Sequence, residues 1–248
     1  MDILAAILAD LQEDVPVQEV RIGPFWTAVI SKHCGLASTT LGFTRDLPPG
    51  PPVKEPGTLK SKTALELCQY IYSESLLERS VGLAALNSLL RPETEQLVEV
   101  NAGELLARLG VGKKVCVVGH FPFIPSLREQ VGQLWVLELN PRPGDLPAEE
   151  AARILPEADI VAITSTGLIN GTMGDLLKLR REDAVTMVLG PSTPLSPRWF
   201  EFKVDLVSGT LVRDPDLVLR LISEGATFRQ FRGRGIQTVT LVSPRLKS

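Results

Sequence analysis

The stretch DIVAITSTG, at residues 159–167, changes abruptly from an apolar run to hydroxyl-bearing residues and a glycine. Two further stretches in the second half do the same, VVGHFP at 117–122 and VLGPSTP at 188–194. Short apolar runs of this kind are typical of buried strands that end in loops. In an open parallel sheet, ligands bind outside the carboxyl ends of the strands, so we expect the three loops to face one crevice.

The rest of the second half repeats this alternation of short apolar runs with segments of helical length. Such alternation indicates βα units and a parallel sheet. The predicted strands lie at 115–118, 134–139, 160–163, 185–189, 204–207 and 237–241.

The first half mixes helical and strand-like patterns without that alternation. In chain order it predicts a helix at 3–11, strands at 17–22 and 26–31, a small-residue segment at 34–40, a proline-rich loop at 45–57, and helices at 63–72 and 76–90.

A domain boundary is expected near 91–110, where Pro92 closes a helix and 105–109 forms a short connector. The fold class is therefore α/β, with a parallel-sheet domain over 101–248 preceded by a smaller α+β domain over 1–100.

The composition excludes several classes of protein. The chain has 248 residues, 44% of them hydrophobic, and a net charge of -3, so there is no basic field to attract nucleic acid. Three cysteines do not make a disulfide framework, and no apolar run reaches the length of about 18–20 residues that crosses a bilayer. Asp2 stands where a signal peptide would carry a base. We expect a cytoplasmic protein with no nucleic-acid or membrane partner.

The first loop differs from a dinucleotide-binding turn. Pro122 and Pro125 lack the amide hydrogens that would hold a pyrophosphate, so standard NAD or FAD binding is not expected after Gly119. Glu138 lies 19 residues beyond Gly119, where an acid of such folds accepts a ribose hydroxyl. The alternative for Glu138 is a solvated acid at a strand end.

The second loop concentrates hydroxyl groups at a strand end. Thr172 followed by Asp175 fits a capping box, so a helix should begin there and its amino terminus could receive an anion. Alternatively, the hydroxyls only satisfy their own backbone. The candidate ligand groups of this loop are Thr164, Ser165, Thr166, Asn170 and Thr172.

The third loop carries Ser192 and Thr193 between prolines that fix the backbone. A rigid loop with hydroxyl groups suits preorganised recognition, and a stiff strand-to-helix connection is the equal alternative.

No spacing typical of a closed zinc site occurs. A mixed metal site from His33, Cys34, His120 and Glu138 would require the two domains to face each other.

Several motifs resemble one known family, the "putative heavy-metal chelation" domains, together with the domain that usually precedes them. In the second half these are GHFP at 119–122, TGLINGT at 166–172 and GPSTPL at 190–195; in the first half they are IG at 22–23, WTA at 26–28, GTL at 57–59 and GLAALN at 82–87.

The resemblance implies an enolase N-terminal-like α+β domain followed by a Rossmann-like domain, with a ligand site in the cleft between them. It implies ligand-binding roles by position for Asn87, Gly119, Pro122, Thr166, Asn170, Thr172, Ser192 and Thr193. Asn87 lies among Ala and Leu on a helix and needs hydrogen-bond partners if it is buried.

The leading hypothesis is a protein that binds a metal chelator, its precursor or another small polar or anionic molecule in that cleft. The alternative is a transferase or hydrolase acting on pterin-, flavin- or siderophore-like molecules, with an S-adenosylmethionine-like ligand, and a third hypothesis is a metal-trafficking module without turnover. A divalent metal ion is the candidate cofactor, a homo-oligomer is left open, and His120 and Glu138 are the acid–base candidates. The ligand-binding candidates are the residues named above together with Phe121.

Overall fold

The structure is a computed structural model that describes residues 2–40, 51–92, 97–231 and 233–246. The described residues form a three-stranded antiparallel sheet from the first half and an eight-stranded, mostly parallel sheet that begins at residue 97. The chain therefore has a mixed α/β fold, as the alternation of apolar runs predicts. The Rossmann-like and enolase N-terminal-like assignments stay predictions.

The small sheet contains β1 (Glu19–Ile22), β2 (Trp26–Ile30) and β3 (Cys34–Ser38) in that order. The β1–β2 hairpin was predicted, whereas β3 falls in the segment that the sequence marks only as small residues. Gly35 explains this segment: a methyl group there would lie 2.1 Å from the carbonyl oxygen of Ala84. Small side chains in β3 thus allow a helix to lie directly on the strand.

The described residues of the first half also form three helices, α1 (Ile3–Ala9), α2 (Ala64–Cys68) and α3 (Leu76–Leu89). Of these, α3 packs directly on β2 and β3. A capping box between Thr63 and Glu66 begins α2, and a 3₁₀ turn (Gln69–Tyr72) replaces the second half of the single helix predicted at 63–72. Residues 45–50 of the predicted proline-rich loop lie outside the described residues, and 51–57 contain no helix or strand.

The large sheet has the strand order β4-β11-β10-β9-β8-β5-β6-β7. The strands β5 to β10 run parallel, while β11 and β4 pair antiparallel at one edge. The strands are β4 (Leu97–Val98), β5 (Lys114–Val118), β6 (Gln133–Glu138), β7 (Leu146–Pro147), β8 (Ile160–Thr164), β9 (Val185–Leu189), β10 (Leu206–Val212) and β11 (Ile236–Val242).

The connection order places a topological switch between β5 and β8. From β5 the chain moves outward to β6 and β7, and it then returns to the other side of β5 to form β8, β9 and β10. At such a point the loops that follow the two neighbouring strands separate and leave a crevice.

Within the described residues, seven helices follow in the second half of the chain. They are α4 (Ala102–Leu109), α5 (Ile124–Arg128), α6 (Ala151–Ile154), α7 (Thr166–Ile169), α8 (Met173–Leu179), α9 (Pro215–Ser223) and α10 (Phe228–Phe231). The predicted connector at 105–109 is thus part of α4, which Asn101 caps through a hydrogen bond to the amide of Gly103.

One apolar core joins the two halves of the chain. Leu83 and Leu86 of α3 belong to the same buried cluster as Val161, Val188 and Val207 of the large sheet. The opposite face of the sheet is covered by α4 and α5, which explains why the central strands are largely apolar. The expected domains at 1–100 and 101–248 stay a prediction, and β4 already pairs with the large sheet at 97–98. Within the described residues, no helix has the length and apolar character needed to cross a membrane.

Candidate functional site

The turn after β5 brings the backbone close to β8. Gly119 has a φ of +104°, and a methyl group on it would lie 2.9 Å from Cβ of Thr164. Glycine tolerates this left-handed conformation and this approach, while a larger residue would be strained. The turn therefore places His120 at the switch point.

An aspartate holds the His120 ring in place. The Nδ1 atom of His120 lies 2.8 Å from Oδ2 of Asp145, whose side chain is only 2% exposed. The same Oδ2 accepts the amide hydrogen of Arg142, which fixes the carboxylate in its own turn. Because a carboxylate accepts hydrogen bonds, this contact favours the neutral tautomer with the ring hydrogen on Nδ1, in which Nε2 is the acceptor nitrogen.

Asp145 does not appear among the residues predicted from the sequence. It lies after the PRPG turn at 141–144, and Gly144 has a φ of +92°. A proline–glycine turn ending in Asp was the available signal. It says nothing of the distant histidine that the carboxylate contacts.

Glu138 has a positioning contact of its own. Oε2 accepts the amide hydrogen of His120 at 2.8 Å, and Oε1 accepts that of Leu139 at 2.8 Å. The carboxylate thus ties the end of β6 to the turn after β5. This arrangement favours a positioning role for Glu138 over the acid–base role considered from the sequence.

The loop after β8 bonds mostly to itself. The hydroxyls of Thr164 and Thr166 lie 2.9 Å apart, and Oδ1 of Asn170 accepts from both the amide and the hydroxyl of Thr172. The predicted capping box of Thr172 and Asp175 is wrong: α8 begins at Met173 as expected, but the Thr172 hydroxyl bonds to Asn170 and makes no cap. Since α8 has only 7 residues, we assign no anion site to its amino terminus.

These two loops line one cavity of about 460 Å³, which we call the edge cavity. Its walls come from the ends of β5, β6 and β8 and from α6 and α8. Among the residues predicted from the sequence, the edge cavity brings together Gly119, His120, Phe121, Glu138, Thr164, Thr166, Asn170 and Thr172.

Ser165 belongs to the same loop but does not line the edge cavity. Its side chain is buried, and its hydroxyl has no hydrogen-bond partner among the described residues. A methyl group on Gly190 would lie 2.7 Å from this hydroxyl, so Ser165 packs against the turn after β9.

The loop after β9 does not line the edge cavity, and it connects the two halves of the chain. Ser192 is fully buried; its hydroxyl accepts from the Ser38 amide at 2.8 Å and donates to the Ser38 hydroxyl. Thr193 is also buried and donates to the carbonyl of Gly190 at 2.7 Å. The Ser192 hydroxyl therefore ties this loop to β3, and the Thr193 hydroxyl bonds within the loop. The expectation that all three loops face one crevice is correct for two of them only.

Asn87 bridges α3, β3 and this loop. Its Nδ2 amide donates to the carbonyls of Leu36 at 2.9 Å and Ser192 at 3.0 Å. Its Oδ1 atom is buried and has no partner among the described residues. The structure thus places Asn87 where the two halves meet and away from the edge cavity.

A smaller cavity of about 210 Å³ lies at this junction, and His33, Cys34, Asn87 and Thr193 line it. Burial is the main cause that lowers the pKa of His33, and the nearby positive charges of Arg91 and Lys32 add to it. Burial also raises the pKa of the Cys34 thiol to about 12.

The donors present do not fit a bare metal ion. His33 and Cys34 line the junction cavity, whereas His120 and Glu138 line the edge cavity, so the mixed site of these four residues is wrong. Within the described residues, no group of at least three His, Cys, Asp and Glu side chains could hold a metal. Burial raises the pKa of Cys68 and Cys116 to about 12 as well, whereas metals bind thiolates.

Two family models match the chain over most of its length. DUF364, with the description "Putative heavy-metal chelation", matches residues 101–241, and DUF4213, with the same description, matches residues 5–90. An uncharacterized protein of Methanocaldococcus jannaschii is 26% identical over 182 residues, 70% of each chain.

Two crystal structures of DUF364 proteins with unknown function share the fold. The Desulfitobacterium hafniense protein is 28% identical, with a TM-score of 0.84 over 97% of this chain and 98% of that one. The Pyrococcus horikoshii protein is 19% identical, with a TM-score of 0.78 over 97% and 98% of the two chains.

Proposed function

The chain belongs to the family that these models describe as "Putative heavy-metal chelation", and from that premise we propose that it binds a small chelating molecule or its metal complex in the edge cavity. The observation that carries the proposal is the His120–Asp145 pair, which orients an imidazole at the wall of a cavity of about 460 Å³. Cavities of about 300–1,000 Å³ with a few placed polar groups are typical of small-molecule sites.

The polar wall of the edge cavity suits a ligand with both donors and acceptors. Nε2 of His120 accepts, the hydroxyls of Thr164 and Thr166 can do either, and the Asn170 amide nitrogen donates. Apolar side chains, among them Val118, Leu137 and Leu176, form much of the remaining wall and would contact the ligand body, and Asp175 also lines it.

The ligand rather than the protein would supply the metal donors. The thiols are held protonated, and both oxygens of Glu138 already accept backbone amides. In this proposal the metal arrives already complexed, and the chain recognises the organic part.

A thermal-shift panel tests the proposal. The probes are Zn²⁺ and Cd²⁺ as free ions, the same ions with citrate or 2,3-dihydroxybenzoate, and each chelator alone. A probe at about 100 times its dissociation constant stabilises the native state by about 2.7 kcal/mol, or about 5–11 °C for a chain of this size.

We expect at least one chelator or complex to raise the melting temperature by this amount. The rise should be smaller in Thr166→Ala and Asn170→Ala. Ser126→Ala is the matched control, because its exposed hydroxyl bonds only to Gln130 outside the cavity. Stabilisation by the free ions alone, or shifts equal in all three variants, would contradict the proposal.

A second candidate function is a transferase or hydrolase on pterin-, flavin- or siderophore-like molecules that uses the same cavity. The observation that favours it is again the oriented His120, since a carboxylate-held imidazole is a common general base. Formation of S-adenosylhomocysteine from S-adenosylmethionine, lost in His120→Ala, would support the transferase. If the protein binds chelates but shows no turnover, the second candidate function is refuted and only the binding function remains.

We further propose a cytoplasmic location, which the free thiols of Cys34, Cys68 and Cys116 support.

A further inference from the structure

A second cavity of about 560 Å³ shares Phe121 with the edge cavity but lies beyond the proposed site, and we call it the aromatic cavity. Phe121, Phe123 and Phe228 form its walls, together with Pro122 and Pro191. Its volume also falls in the range typical of small-molecule sites.

Two of the three rings stack on each other where they border the cavity. The rings of Phe121 and Phe123 are stacked, with centroids 5.1 Å apart and planes 10° from parallel. A methyl group on Gly103 would lie 2.8 Å from Cγ of Phe123, so that ring rests directly on the backbone of α4. Gly119 similarly gives room to Phe121, because a methyl group there would lie 3.3 Å from its Cε2. The two rings are therefore held in place, and the parts of them that border the cavity can make edge or face contacts with another aromatic group.

Hydroxyl groups line the part of the sheet that borders the aromatic cavity. Thr210 of β10 pairs directly with Thr238 of β11, and Ser208 pairs with Thr240. Ser208 and Thr240 bond to each other at 2.7 Å, while Thr210 and Thr238 line the cavity. The residues between them, such as Val239, point to the opposite face and belong to the core.

The charge of the aromatic cavity is positive. Arg229 lies on its wall beside Phe228, and among the described lining residues no carboxylate accompanies it. The Phe228 ring is anchored by Trp26 of β2, with centroids 5.7 Å apart. An anionic group near Arg229 would therefore lie next to an aromatic wall.

We propose that the aromatic cavity binds a flat aromatic molecule that carries an anionic group. The ring lies against the phenyl groups, the anion lies at Arg229, and polar substituents of the ring bond to Thr210 and Thr238. This inference is independent of the chelator proposed for the edge cavity.

Calorimetry with 1-naphthyl phosphate and AMP as probes tests the inference. Adenosine supplies the ring without the anion, and ribose 5-phosphate supplies the anion without the ring. We expect at least one of the two probes to bind at one site, and Arg229→Gln to weaken it by about tenfold. The matched control Arg220→Gln removes an exposed arginine of α9 that does not line the cavity, and it should leave affinity unchanged.

Two further variants separate the cavities and guard against misfolding. Thr166→Ala, in the edge cavity, should not change probe affinity, whereas Phe228→Leu should weaken it. If Phe228→Leu does not fold, Thr238→Val takes its place, because the Thr238 side chain is exposed.

Three outcomes overturn the inference. In the first, neither probe binds. In the second, Thr166→Ala weakens probe binding and Arg229→Gln does not. In the third, ribose 5-phosphate binds as tightly as AMP. Failure of the chelator panel with intact AMP binding would refute the proposed function and leave this inference standing.

Discussion

Replacing Asn87 by alanine should loosen the junction between the two halves of the chain. The Asn87 amide donates to the carbonyls of Leu36 in β3 and Ser192 after β9. Both carbonyls lose their donor in the variant, in a region where Ser192 is fully buried.

The expected loss of stability follows from these contacts. A buried acceptor left without a partner costs about 1–3 kcal/mol, so two carbonyls give about 2–6 kcal/mol. Removing the buried Oδ1 atom, which has no partner among the described residues, offsets about 1–3 kcal/mol. The net destabilisation is about 2 kcal/mol, or about 4–8 °C in Tm for a chain of this length.

Urea unfolding followed by circular dichroism measures this loss. Asn87→Asp should be less stable than Asn87→Ala, because a carboxylate oxygen would face two carbonyl oxygens. Asn140→Ala is the control, since Asn140 is exposed after β6 and should change stability by less than about 0.5 kcal/mol. Wild-type stability in Asn87→Ala, especially with loss of ligand binding, would refute the structural role given to Asn87.

Three other predictions concern single residues. Gly35→Ala should destabilise the chain by about 3 kcal/mol or prevent folding in thermal unfolding assays, because its methyl group would overlap the backbone of α3. Because the pKa of His33 is lowered in the folded chain, the unfolded chain binds a proton at this residue more readily. The stability that neutral His33 allows is therefore fully present above a pH of about 6.5 and is lost as the pH falls below it. Burial is the main cause of the lowered pKa and Arg91 adds to it, so urea midpoints should fall slightly less on acidification in Arg91→Gln than in wild type; an equal fall would contradict the contribution of Arg91. Asp145→Ala should change the neutral tautomer of His120 from Nδ1–H to Nε2–H in ¹⁵N NMR spectra, and an unchanged tautomer would refute the pairing.

The periodicity of the sequence predicts most of the fold. Strands buried on both faces are largely apolar, and the runs at 160–163 and 185–189 correspond to β8 and β9. β3 was missed because Gly35 and its small neighbours have low strand propensity; the strand exists because α3 packs against it.

The site was predicted in part, and the failures have physical causes. The switch-point rule brings the loops after β5 and β8 together, but β9 lies one strand further away and its loop binds the first half instead. The Thr172 hydroxyl donates to Oδ1 of Asn170 instead of capping α8, and the spacing of the residues does not reveal this contact. The contact between His120 and Asp145 spans 25 residues, a distance at which no local pattern applies.

NMR spectra of the histidine rings test directly whether a chelating ligand binds in the edge cavity beside His120. The chain contains only two histidines, so their ring signals can be assigned with His33→Gln alone. During titration with the zinc or cadmium complexes of citrate and 2,3-dihydroxybenzoate, we expect the His120 signals to shift with saturation while those of His33 do not. Shifts confined to His33 would place the ligand in the junction cavity and refute binding in the edge cavity.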